Sequence, residues 1–117
     1  MSGTVSWHAG AAAEESVALL YERRGLAVAA RRWRGQAGEI DLVLRDGAAL
    51  VFVEVKQSRS FARAAEHVSR RQMARIMAAA QEFLAGEPAG QLTDIRFDVA
   101  LVNGQGEVEI LENAFTS

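Results

Sequence analysis

Residues 38–56 read GEIDLVLRDGAALVFVEVK. Two apolar runs of strand length, Ile40 to Arg45 and Ala49 to Lys56, flank Asp46-Gly47, a strong short-range hairpin signal, and are expected to pair antiparallel. Side chains alternate along a strand, so Leu50, Phe52, Glu54 and Lys56 share one face while Val51, Val53 and Val55 share the other. A two-residue turn at Asp46-Gly47 sets Glu39 opposite Glu54 and Asp41 opposite Phe52, leaving Asp41 diagonal to Glu54 at roughly 7 to 8 Å. Three carboxylates and one lysine then converge on one face.

Carboxylates at that spacing repel unless a counter-charge lies between them. A divalent cation, magnesium or manganese, removes the conflict, because magnesium accepts one or two carboxylates and fills its octahedron with waters and substrate phosphate oxygens. Asp41 and Glu54 are the ligand types it needs. A bound metal lowers the pKa of a coordinated water and stabilises charge on a phosphate, while Lys56, two residues on, can hold that phosphate or orient the water. The competing reading is a solvated sheet face with cross-strand Glu-Lys pairs. Twelve of the thirteen basic residues are arginine, and Lys56 is the only lysine. Chance or a need for a compact, titratable ammonium would each produce that pattern.

Outward from the hairpin, Ala13, Val17, Leu20 and Tyr21 recur at helical spacing between Gly10 and Arg24, with Gly25 as a stop. Leu26 to Trp33 reads as a first strand, whose end carries Arg31, Arg32 and Arg34, followed by a loop from Gly35 to Gly38. After a polar connection from Gln57 to about Arg63, the residues Met73, Ile76, Met77, Ala80, Phe83 and Leu84 trace the stripe of a second helix. Ile95 to Val102 and Val108 to Leu111 supply two more strands around Asn103-Gly104. The order is α-β-β-β-α-β-β, that of a sheet covered by helices.

At 117 residues, half of them hydrophobic, the chain fits one globular domain over residues 1–117. Its longest apolar run, Ala48 to Val53, is six residues, far short of the roughly 20 that span a bilayer, and the first 20 residues lack the pattern of a secretion signal. With no cysteine, disulfides and thiolate metal sites are excluded, and a cytoplasmic location without a membrane partner is expected. The net charge of −2 conceals an asymmetry: residues 23–75 carry +7, residues 76–117 carry −6 and residues 1–22 carry −3. A basic middle suits a phosphate backbone, and equally a solvated arginine-rich face. His8 and His67 stand in no spacing that makes a metal or nucleophile motif. Trp33, among arginines, suits either stacking on an unpaired base or the edge of the core.

The chain resembles the YraN-like family of small bacterial proteins, which share the endonuclease-like fold of the PD-(D/E)XK nucleases and archaeal Holliday-junction resolvases. The resemblance runs from Ala13-Glu14 and Gly25 through Trp33-Arg34, Gly38-Glu39-Ile40-Asp41-Leu42 and Phe52-Val53-Glu54-Val55-Lys56 to Arg96-Phe97-Asp98-Val99 and Glu112-Asn113-Ala114-Phe115. It implies an α/β fold of the restriction-endonuclease-like type, a mixed β-sheet flanked by helices. It implies Asp41 and Glu54 as metal-binding acids, Lys56 as the catalytic lysine, and Glu14 as a further carboxylate from helix one. Glu14 reads equally well as a first-turn acid favoured by the helix dipole. Glu39 fits as a group supporting the ligands, and Asp98 as a support for the sheet or an arginine.

The implied activity is metal-dependent hydrolysis of phosphodiester bonds in DNA, including branched or structured DNA, by a protein that pairs as a homodimer. The alternative is a nucleic-acid-binding or partner-binding module that retains the fold without catalysis. Arg31, Arg32, Arg34, Arg59 and Arg63 are the expected phosphate contacts. The chain departs from the family at Gln57-Ser58, where Thr-Arg is usual, at Arg71, where lysine is usual, and at Ala13, where glycine is common. These positions bear on substrate grip rather than on the acids.

Overall fold

The structure, a computed structural model, describes residues 2–115, with side chains described from residue 10 to residue 115. Helix α1 (Ser2–Arg23) leads into β1 (Ala27–Arg34), β2 (Glu39–Asp46) and β3 (Ala49–Gln57). Helices α2 (Phe61–Glu66) and α3 (Arg70–Leu84) and a short 3-10 turn (Gly90–Leu92) precede β4 (Ile95–Val102) and β5 (Val108–Leu111). One mixed sheet has the order β1-β2-β3-β4-β5, in which only β3 and β4 run parallel. Parallel neighbours need a crossover, and α2 with α3 supplies it.

Each helix buries an apolar stripe against one sheet face. On one side Ile76, Ala79, Ala80 and Leu84 of α3 meet Leu50, Phe52, Phe97, Val99 and Leu101. On the other, Ala13, Val17, Ala18 and Tyr21 of α1 meet Leu42, Leu44, Val51, Val53, Ala100 and Val102. Strand β3, covered twice, is apolar on both faces until Glu54, as a central strand must be. No helix among the described residues is long and apolar enough to cross a membrane.

Local chemistry explains the ends. Gly25, at φ +92, closes α1: its N–H donates to Glu22 and that of Leu26 to Tyr21, an arrangement that a residue with a Cβ adopts at a penalty. Ser60 and Ser69 cap α2 and α3 by accepting from the N–H groups of Arg63 and Gln72. Helix α2 occupies part of the connection expected to be irregular, because Ser60 and the Ala64 side chain, buried under the sheet, give six residues both a cap and an anchor.

The hairpin register differs from expectation. The two-residue turn is Gly47-Ala48, with Asp46 paired to Ala49, Leu44 to Val51 and Leu42 to Val53. Gly47 takes the first central position at φ +61, which glycine adopts readily, so Asp46 stays in the strand. The shift of two residues preserves which face each side chain uses. Extended one step, it sets Asp41 level with Glu54 instead of Phe52, and Glu39 is no longer opposite Glu54.

Candidate metal and phosphate site

The β2–β3 ladder stops at the Leu42–Val53 pair. Beyond it the Asp41 Oδ2 atom accepts a hydrogen bond from the Val55 N–H at 2.8 Å. That bond turns the Asp41 side chain onto β3, beside Glu54, which is only 6% exposed. The Glu54 Oε2 atom accepts from the Gln72 side-chain amide of α3 and lies 3.1 Å from the Lys56 ammonium.

Two carboxyl groups so placed cannot both be charged without penalty. Burial, then a hydrogen bond with Glu54 and the Glu54 charge, push the Asp41 carboxyl from its ordinary 3.8 up to about 8, against the opposing pull of the Val55 N–H. Asp41 therefore holds its proton well above the usual carboxylate range. Two carboxylates side by side are the oxygen donor type that magnesium takes. Among the described residues no group of three or more histidine, aspartate and glutamate side chains is gathered to hold a metal ion.

A cleft of about 280 Å³ opens on the pair, lined also by Glu39, Gln72, Arg75 and the Ala37-Gly38 backbone. Its loop wall is held by Glu82 of α3, whose carboxylate accepts from the N–H groups of Gln36 and Ala37 at 2.8 and 2.9 Å. These two bonds hold the Glu82 pKa below the usual carboxylate value. Gly35 sits tight against it, since a Cβ there would meet the Glu82 Oε2 atom at 2.7 Å.

Glu14 lies in a neighbouring cleft with Glu15, Arg31 and Arg32, and Asp41 is the wall common to both clefts. Its carboxylate is 2.9 Å from the Arg32 Nε atom, and Arg32 holds a left-handed backbone at φ 47. Arg31 pairs with Glu15 at 3.4 Å and Arg34 with Glu39 at 3.1 Å. Arg59 and Arg63 are exposed, and among the described residues neither has an ion-pair partner.

Asp98 is fully buried away from the cleft, where Arg96 grips it with two nitrogens, the Tyr21 hydroxyl donates at 2.7 Å and the Asn113 N–H at 2.9 Å. It supports an arginine, as expected. Trp33 packs edge-on against Phe83 at 5.3 Å, at the border of the core. His67 is exposed between α2 and α3, and the His8 side chain lies outside the described residues. Gln72, Arg75 and Glu82 are site groups that the strand pattern does not reveal. Ser69-x-x-Gln72 has the form of a capping box, which marks the residue but assigns its side chain to the helix end instead of to Glu54.

Residues 13–102 match the uncharacterised protein family UPF0102. A UPF0102 protein of Cereibacter sphaeroides is 65% identical over the full length of both chains. One from Ruegeria pomeroyi is 65% identical over 97% of this chain and 92% of its own. Another, from Dinoroseobacter shibae, is 48% identical over 95% of this chain and 83% of its own. The YraN-like resemblance carried by GEIDL and FVEVK is thereby borne out, and the chain belongs to the UPF0102 family.

Proposed function

We propose that this protein is a metal-dependent nuclease that hydrolyses phosphodiester bonds in DNA, including structured or branched DNA. The observation that carries the reading is the Asp41–Glu54 pair, two carboxyls held together at the floor of an open cleft with Lys56 against one of them. A fold gains nothing in stability by burying an acid and setting a second acid beside it, and such conflicts concentrate where a site has chemistry to do.

In this reading Asp41 and Glu54 hold magnesium or manganese, which supplies Lewis acidity toward the phosphate and an acidified water. The Val55 N–H fixes one oxygen of Asp41, and Gln72 fixes one of Glu54, so both ligands are oriented before any cation arrives. Lys56, held on the Glu54 Oε2 atom, offers donors to a phosphate oxygen or to the attacking water. Glu39 orients the rim through Arg34. Glu14, whose cleft shares the Asp41 wall, would be the further carboxylate available to the cation once released from Arg32. The protein works in the cytoplasm, on DNA, and a second copy of the chain is the partner that a two-stranded cut would need.

Calorimetric titration with Mn²⁺ tests the ligand assignment. Saturable binding in the wild type, abolished by Asp41→Asn, supports it; equal heats from both proteins refute it.

A further inference from the structure

The twelve arginines fall into groups with different surroundings. Arg24, Arg31, Arg32, Arg34, Arg45 and Arg96 each have a carboxylate between 2.8 and 3.7 Å away. Arg23 closes α1, where the helix dipole favours a cation. The remaining five, Arg59, Arg63, Arg70, Arg71 and Arg75, are exposed, and among the described residues none has an ion-pair partner. They all lie between the end of β3 and the middle of α3.

Two of them, Arg70 and Arg71, run against local electrostatics. Arg70 and Arg71 occupy the first turn of α3, the positive end of the helix dipole, and that turn contains no acid. Arg63 lies in the last turn of α2, where the dipole tolerates a cation, and is exposed beside them. Cations at a helix start are relieved when an anion sits among them, and backbone N–H groups at such an end favour phosphate. Arg75 follows Arg71 by four residues, so the two share a helix face, and Arg75 lines the cleft that Asp41 and Glu54 floor. Arg59 is held at the other end, where its carbonyl accepts from the Gly104 N–H at 3.1 Å.

We propose that the α2–α3 face, and not β1, grips the sugar–phosphate backbone of nucleic acid, with Arg59, Arg63, Arg70 and Arg71 on successive phosphates and Arg75 leading the strand into the cleft. The choice of nucleic acid as the polyanion rests on the nuclease reading above. The arginines of β1 are already neutralised by Glu14, Glu15 and Glu39, and give up those partners before they can bind phosphate. Guanidinium forks match phosphate geometry, and five of them without carboxylates form a surface that a polyanion completes.

Fluorescence anisotropy with a labelled four-way DNA junction, in EDTA, reads this face without chemistry. The triple variant Arg70→Gln, Arg71→Gln, Arg75→Gln should bind at least tenfold more weakly at 0.1 M salt, and its slope of log affinity against log salt should flatten by about 2 to 3, near 0.9 for each lost contact. The matching Arg→Lys triple should recover most of the binding, which excludes a purely structural role, and all variants should melt with the wild type. The double variant Arg31→Gln, Arg34→Gln should change binding little. The proposal is overturned if this double variant loses the DNA and the α3 triple does not. Wild-type binding to phosphatidylglycerol vesicles in place of the junction overturns it too, in favour of a lipid surface. Binding through these arginines without cleavage under any metal would leave this face standing and remove the nuclease, whereas cleavage by the α3 triple with unchanged affinity would do the reverse.

Discussion

The Asp41 Oδ2 atom and the Val55 N–H are joined by a 2.8 Å hydrogen bond just beyond the last paired residues of β2 and β3, Leu42 and Val53. A side chain there takes the place of a main-chain partner, so the ladder ends and the strands leave room for two carboxyls where backbone pairing would otherwise continue. The same bond holds Asp41 beside Glu54, where burial first and the neighbouring acid second push its pKa up to about 8 although the bond itself pulls the other way.

That shift sets the pH dependence of stability. The folded chain keeps a proton on Asp41 that the unfolded chain releases near 3.8, so the contribution is complete below that value and lost as pH rises through about 8. Without metal, Tm should decline between about pH 4 and pH 8, and Asp41→Asn should flatten the decline. An unchanged slope in that variant would trace the effect to other groups.

Arg32 should restrain Glu14. Arg32→Gln removes the 2.9 Å partner of the Glu14 carboxylate and leaves it free to face Asp41. Mn²⁺ affinity, read by calorimetry without DNA, should rise severalfold, and adding Glu14→Gln should cancel the gain. Affinity that stays at the wild-type level in Arg32→Gln would remove Glu14 from the ligand set.

Tyr21 and Asp98 should matter to stability alone. Tyr21→Phe leaves one donor fewer on a fully buried carboxylate and is expected to destabilise the fold by about 1 to 3 kcal/mol in urea titration. Mn²⁺ binding should be unchanged. Weakened metal binding in a folded Tyr21→Phe protein would mean that the two networks are coupled.

Much of this geometry was legible in residues 38–56. The turn shift from Asp46-Gly47 to Gly47-Ala48 keeps the parity of the β2–β3 pairs, because two residues restore the same faces, while Ile40 and Leu42 fall on opposite faces of the sheet and Asp41 between them borders both clefts. What alternation could not supply was side-chain partners distant in sequence. Glu14 and Arg32 are separated by 18 residues, Glu82 and Gln36 by 46, and only the packed helices bring them together. Arginines 31, 32 and 34 cluster in the sequence as phosphate contacts would, and in the structure each has an acid beside it. Their acids come from α1 and the start of β2, which a charge count along the chain does not reveal.

The most direct test of the central claim, that Asp41 and Glu54 form a hydrolytic metal centre, is cleavage of linear, flapped and four-way DNA by wild-type and Glu54→Gln protein with Mg²⁺ or Mn²⁺. Glu54→Gln keeps the shape and removes a charge, so Lys56 loses a partner while Asp41 loses a neighbouring acid, and the comparison is made on variant protein shown to be folded. Metal-dependent cutting of at least one substrate is expected from the wild type and none from Glu54→Gln, with DNA binding in EDTA equal for the two. Wild-type protein that binds DNA yet cuts no substrate with either metal, or Glu54→Gln protein that cuts as well as the wild type, would contradict that claim.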